Sequence, residues 1–322
     1  MKGTKQIRVS NRNLHYQFTI TRNITIVAGN SGTGKITLYE LIAEHTRLGA
    51  ASGVQITSDA PCVALTDIDW LNQLRRTKSS IVFVDEGFEP LATHEFAAAI
   101  KSTDNYYVLI TREPLYELPY SVDEIFVIKT SGKFHTFQKM YQRSDDRLYA
   151  MATDRLSANQ VLTEDSRAGY QFYQHYYDGT SVTCHSAGSN SGVFAWLQKH
   201  HDEGVFVIAD GAAFGAEMNR VMELQHQFPD KITICLPECF EWLILQSGLI
   251  DAPDLGEMLE NPSASVDSAQ YFSWENFFED YLVQQTAGTH YAYSKSQLHS
   301  YYSIRENSGR IIALIAANMP KA

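Results

Sequence analysis

Two groups of residues in this chain have types and spacings suited to phosphate and metal chemistry. The first is Gly29-Asn30-Ser31-Gly32-Thr33-Gly34-Lys35-Ile36-Thr37. Its glycines let the backbone curl until successive N–H groups face an anion, and a helix starting at Lys35 adds the positive end of its dipole. Lys35 would reach the terminal phosphates of a nucleotide. About 50 residues downstream, Ile81-Val82-Phe83-Val84-Asp85-Glu86 runs apolar and ends on two acids. Asp85 suits Mg2+, directly or through water, and Glu86 suits polarising an attacking water. Thr111 and Arg112 end another apolar segment, where a γ-phosphate contact would lie. The plainer alternative is a glycine-rich turn with a surface lysine and solvated acids at a strand end. The order strand, loop, lysine, helix and acidic strand favours the phosphate site.

The second group lies in the other half. Glu164 and Asp165 follow the apolar run Gln160–Thr163, Asp210 follows Val205–Ala209, and Glu238 and Glu241 follow Ile232–Leu236. In a sheet of strand order 2-1-3-4, Glu164 and Asp210 would be neighbours, and ligands gather at such carboxyl ends. Close carboxylates repel unless a cation sits between them. Mg2+ held by Glu164 and Asp210, with Glu238 or Glu241 contributing, is the economical expectation; helix-capping acids are the plain alternative. The small-residue run Ser186–Gly192 could approach a phosphate backbone or simply be a loop with a good cap. His185, His200 and His201 lack a spacing that groups them, and Cys235 and Cys239 read as packed thiols.

These residues need strand and helix ends to hold them. In the first half, strands are expected at Asn23–Ala28, Gly53–Thr57, Val63–Thr66, Ser80–Val84, Tyr106–Thr111, Glu124–Lys129 and Lys133–Gln138. Helices are expected at Lys35–Thr46, Asp67–Arg76 with Asp67 as cap, and His94–Lys101. A polar stretch at Arg143–Leu156 marks the boundary between domains 1–145 and 155–322. Four strand–helix steps follow: Gln160–Thr163 and Gly169–Tyr177, Ser181–Ser186 and Gly192–His200, Val205–Ala209 and Glu217–Gln227, Ile232–Leu236 and Phe240–Gly248. The aromatic-rich tail, about 251–322, is expected to form a helical appendage on the second sheet. The fold class is thus α/β, with two parallel-sheet domains.

Composition narrows the class. The 322 residues include 26 Lys/Arg and 37 Asp/Glu, a formal charge of −11. Residues 1–150 hold 17 basic against 16 acidic side chains, residues 151–322 only 9 against 21. A 44% hydrophobic fraction excludes a disordered acidic chain. No apolar stretch nears the roughly 20 residues of a membrane span, and the start of the chain lacks a signal-peptide run. A soluble, cytoplasmic protein without a membrane partner is expected. Its acidic half does not attract a nucleic-acid backbone by charge.

The first group resembles the Walker A and Walker B motifs of the P-loop NTPases, and the Asp85-Glu86 ending looks like their branch with an additional catalytic glutamate. That resemblance covers roughly residues 20–130. It implies ATP and Mg2+ as ligands and a domain that works as an oligomer or with a partner protein. It departs at Ile36, where the family carries Ser or Thr to bind magnesium, so binding is expected to outlast turnover. The second group resembles the Toprim domain over about residues 158–250, Glu164 and Asp210 matching its first two acids while Ala212 stands where a further aspartate belongs. Together they look like the proteins that pair an ATPase with a Toprim nuclease, among them the overcoming-lysogenization-defect family and other antiphage or DNA-processing factors. The resemblance implies an ATP-governed effector acting on DNA or RNA. The alternative is a regulatory ATP-binding module without nuclease chemistry. A small-molecule kinase is disfavoured by Asp85-Glu86 and by the absence of an Arg-rich lid.

Overall fold

A computed structural model describes residues 1–29, 32–66, 68–141, 149–151, 158–315 and 319–320. Asn30, Ser31, the expected cap Asp67 and most of the 143–156 boundary stretch lie outside the described residues. The chain divides into two compact units, Met1–Tyr141 with Glu260–Ser273, and Gln142–Leu259 with Trp274–Ala322. The tail is therefore shared: Glu260–Ser273 returns to the first unit, where Gly3 N–H donates to Ser263 O at 2.7 Å.

The first unit is built on nine strands: β1 (Lys5–Ser10), β2 (His15–Ile20), β3 (Ile24–Val27), β4 (Gln55–Ser58), β5 (Cys62–Ala64), β6 (Ile81–Val84), β7 (Tyr106–Ile110), β8 (Ile125–Ser131) and β9 (Phe134–Lys139). Their order is β4-β1-β2-β9-β8-β3-β7-β6-β5. Strands β5, β6, β7, β3 and β8 run parallel, but β1–β2, β1–β4 and β8–β9 are antiparallel. The sheet is mixed, a correction to the parallel sheet expected. The cause is the short connections 11–14 and 132–133, which permit only hairpins. Strands β1 and β2 were not expected at all. Their signal is the two-residue alternation that buries Ile7 and Val9, then Tyr16, Phe18 and Ile20, between polar neighbours. Helices α1 (Lys35–Leu48), α2 (Trp70–Arg76) and α3 (His94–Lys101) complete the layer. Leu38, Leu41 and Ile42 of α1, spaced for one helical face, enter a core with Val27, Phe83, Val108 and Ile110. Strands β3, β6 and β7 are buried throughout, as central parallel strands must be.

The second unit holds β10 (Tyr149–Met151), β11 (Gln160–Thr163), β12 (Thr183–Ser186), β13 (Val205–Ile208) and β14 (Ile232–Leu236), in the order β10-β14-β13-β11-β12. Strands β11 to β14 are parallel in the 2-1-3-4 arrangement, and β10 adds an antiparallel edge. The helices are α4 (Ala168–Tyr176), α5 (Asn190–His200), α6 (Gly215–Gln227) and α7 (Phe240–Gln246), followed by α8 (Leu255–Glu260), α9 (Pro262–Ser265), α10 (Trp274–Thr286) and α11 (Arg305–Ile312). Of these, α9 lies in the stretch that joins the first unit. No helix among the described residues is long and apolar enough to cross a membrane.

Candidate functional site

The glycine loop leaves the carboxyl end of β3 and turns directly into α1. Gly29, Gly32 and Gly34 all have positive φ, at 108°, 83° and 92°. At Gly34 two constraints coincide, because a Cβ there would also lie 2.9 Å from the Tyr16 hydroxyl. That hydroxyl donates to Gly34 O at 3.0 Å. The pairing of β2 with β9 sets Tyr16 beside His135, and their rings stack at 4.4 Å. Burial pushes the Tyr16 phenol up to about 12, so it stays a donor at neutral pH. Lys35 is 3% exposed, and its ammonium donates to Gly29 O. Burial holds the Lys35 amine below the ordinary lysine range; Glu86 works against this and Arg112 with it.

Strand β7 lies between β3 and the acidic strand β6. The end of β7 therefore separates the glycine loop from Asp85 and Glu86. Arg112 Nη2 lies 2.6 Å from Glu86 Oε1. Asp85 Oδ1 and Glu86 Oε2 are shut from solvent without a hydrogen-bond partner, a costly state for a carboxylate oxygen. Gly32, Thr33, Gly34, Lys35, Ile36, Thr37, Glu86 and Arg112 line a cleft of about 250 Å³. Ile36 is 44% exposed on it. Thr111 does not line it. Its hydroxyl is engaged locally, donating to Glu113 O at 2.8 Å and accepting from Glu113 N at 3.1 Å. Of the two residues ending β7, Arg112 is the one that faces the cleft. The arrangement can hold an anion chain between backbone N–H groups, one ammonium and one guanidinium, with two acids beside it.

At the carboxyl ends of β11 and β13 the expected pairing is present: Asp210 N–H donates to Glu164 Oε2 at 2.9 Å. With its amide nitrogen turned toward Glu164, Asn190 donates to Oε1 at 3.2 Å. Asp165, Glu241 and Lys295 join Glu164 and Asp210 around a small cavity of about 20 Å³. Lys295 Nζ is 2.6 Å from Glu275 Oε1, 3.2 Å from Glu279 Oε2 and 3.7 Å from Glu241 Oε1. Tyr293 Oη donates to the same Glu241 oxygen at 2.6 Å, while Glu241 Oε2 is buried without a partner. Burial, then the charge of Glu275, pushes the Glu164 carboxyl up to about 8. Burial and Glu164 raise Asp210 well above the carboxylate range, and burial raises Asp165 and Glu241. Burial alone would lower Lys295, but Glu241, Glu275 and Asp210 together raise it above an ordinary lysine.

The carboxylates expected to hold Mg2+, Glu164 and Asp210 with Glu238 or Glu241, are only partly brought together. Glu164, Asp210 and Glu241 line the cavity; Glu238 does not. Gly211 N–H donates to Pro237 O at 2.7 Å and Ala212 N–H to Glu238 O at 3.0 Å, so the β13 and β14 loops pair through their backbones. A Cβ at position 211 would sit 3.0 Å from Pro237 O, which glycine avoids. Ala212, 3% exposed, offers no ligand atom. Among the described residues no three His, Cys, Asp or Glu side chains form a group that could hold a metal ion. Glu164 accepts from Asp210 N–H and Asn190, and Glu241 from Tyr293 with the Lys295 ammonium 3.7 Å away, so as they stand these carboxylates do not converge on one cation position.

Lys295 was missed in the sequence, although it is the single Lys or Arg in residues 232–304, a stretch with ten acids. A lone cation in so acidic a run is the signal that could have found it. The remaining candidates have packing roles. Ser189 caps α5 by accepting from Gly192 N–H at 3.3 Å, and Cys239 caps α7 through Sγ. His185 and His200 pack on Trp196, and His201 on Phe228. The chain matches no family model, and no curated protein matches it in sequence.

Proposed function

We propose that the chain is an ATP-binding protein of P-loop type whose nucleotide state acts on a second, Toprim-like α/β unit with an acidic cleft. The observation that carries the proposal is the convergence of three separate segments on one cleft: the glycine loop with Lys35, Glu86 just beyond β6, and Arg112 just beyond β7. Backbone N–H groups and Lys35 would take the phosphates, and Arg112 the terminal one. The partnerless oxygens of Asp85 and Glu86 fit a bound, hydrated Mg2+ between acids and nucleotide. Such an ion would neutralise phosphate charge and fix its orientation.

Turnover is slow in this reading, for two reasons located in side chains. Ile36 brings a methyl group where a hydroxyl would help hold the metal, and Glu86, the group placed to polarise water, is tied to Arg112 at 2.6 Å. ATP hydrolysis by the native chain and by Ile36→Thr tests this: the variant should be faster by tenfold or more, and equal, robust turnover by both would refute it.

A second reading for the acidic unit, a binding or regulatory module without nuclease chemistry, is favoured by Lys295 among the acids and by Ala212. Incubating the protein with DNA and RNA under Mg2+ or Mn2+ separates the readings. Cleavage lost in Asp210→Ala supports a nuclease; no cleavage by either chain supports the binding module. Assembly as a homo-oligomer or with a partner protein belongs to the same proposal.

A further inference from the structure

We infer that Lys295 is a built-in cation, an ammonium that takes the place a divalent metal would have in the acidic cleft, so that the second unit keeps its acids together without metal. This rests on the second unit alone and is independent of the ATP reading.

Three features carry it. Lys295 is only 14% exposed, and it lies within 4 Å of three carboxylates, those of Glu241, Glu275 and Glu279. Its position is fixed by the backbone around it. Lys295 O accepts the first N–H of α4, from Ala168, at 3.0 Å; Gln171 Nε2 donates to Ser296 O at 3.1 Å, and Leu298 N–H to Gln171 Oε1 at 2.8 Å. Tyr293 adds the bond to Glu241. The strap from Tyr293 to Leu298 is thus sewn to α4 and α7 on both sides of the lysine, and it delivers the ammonium to one place. The third feature is the donor set itself, which does not converge as a metal site while it accepts from Lys295, Tyr293, Asn190 and a backbone N–H. A buried carboxylate cluster needs a compensating cation, and here the chain supplies one covalently.

Such a cation has a consequence that differs from that of a metal. The cleft cannot lose it to a chelator, and a divalent ion entering the cavity of about 20 Å³ must share the space with an ammonium. Removing the ammonium while keeping the strap should therefore turn the cluster into a metal site. The experiment is Mn2+ binding to the nucleotide-free full chain, followed by loss of the free-ion electron paramagnetic resonance signal, in an Asp85→Asn, Glu86→Gln background that removes both candidate metal acids of the first unit. With Lys295 present, no Mn2+ should bind at millimolar concentration; Lys295→Met should bind one equivalent, and Lys295→Arg none. One equivalent bound with Lys295 in place, and lost on Asp210→Asn, would overturn the inference, as would a folded Lys295→Met chain that binds no ion. If the methionine variant does not fold, the native-lysine arm decides alone.

Discussion

Replacing Glu164 by glutamine should make the second unit more stable in alkali while leaving it unchanged in acid. Glu164 is held protonated up to about 8, against 4.5 for a free glutamate, chiefly by burial. Below 4.5 folded and unfolded chains both carry the proton, and the group costs nothing. Between 4.5 and 8 the unfolded chain releases it and the folded chain does not, so stability falls as pH rises, and above 8 the whole cost is present. At about 1.4 kcal/mol per tenfold, that cost is on the order of 5 kcal/mol. It belongs to Glu164 and Asp210 as a pair, since the two titrate together. Glutamine keeps an acceptor for Asp210 N–H and has no proton to lose. At roughly 2–4 °C per kcal/mol for a unit of this size, the variant should melt roughly 10–20 °C above the native chain at pH 9. The assay is thermal melting in chelator at pH 4.5, 7 and 9, read by tryptophan fluorescence in a Trp70→Phe background. There Trp196, Trp242 and Trp274 report the second unit. Parallel pH profiles for the two chains would refute the reasoning, because they would mean that another cation neutralises the pair.

Other outcomes follow from the first unit. Tyr16→Phe removes the hydrogen bond to Gly34 O, worth about 1 kcal/mol; it should lower the melting temperature of the first unit by roughly 2–4 °C and, by loosening the glycine loop, weaken ATP by up to about fivefold in a fluorescent-nucleotide titration. Gly34→Ala meets both a φ of 92° and the Tyr16 hydroxyl at 2.9 Å, and should abolish nucleotide binding; the double variant with Tyr16→Phe should recover little, because the backbone strain remains. Arg112→Ala frees Glu86 from its ion pair and should lower ATP affinity severalfold, measured calorimetrically.

The parts of both sites legible in the sequence were those encoded locally. Glycine spacing with a lysine, and acids after apolar runs, report strand ends directly; the four successive strand–helix steps were also legible, while their 2-1-3-4 order is assumed as the common one and is the order found. What stayed hidden depends on distant partners. Tyr16 reaches the glycine loop because β2 pairs with β9, three strands from β3, and nothing within β2 announces that neighbour. Lys295 reaches the acids from 85 residues beyond Asp210 through a strap without regular structure. Glu238, by contrast, looked equivalent to Glu241, but the backbone pairing of Ala212 with Glu238 O separates their fates. The return of Glu260–Ser273 to the first unit likewise has no local signature, since short helical turns there suit either body.

The reading of Gly29–Lys35 as a nucleotide site is tested most directly by equilibrium binding of ATP with Mg2+ to the native chain and to Lys35→Ala, with circular dichroism to show that both are folded. Micromolar binding by the native chain and a loss of a hundredfold or more in the variant is the result predicted. Equal affinity for the two, or no binding by the folded native chain, would contradict it.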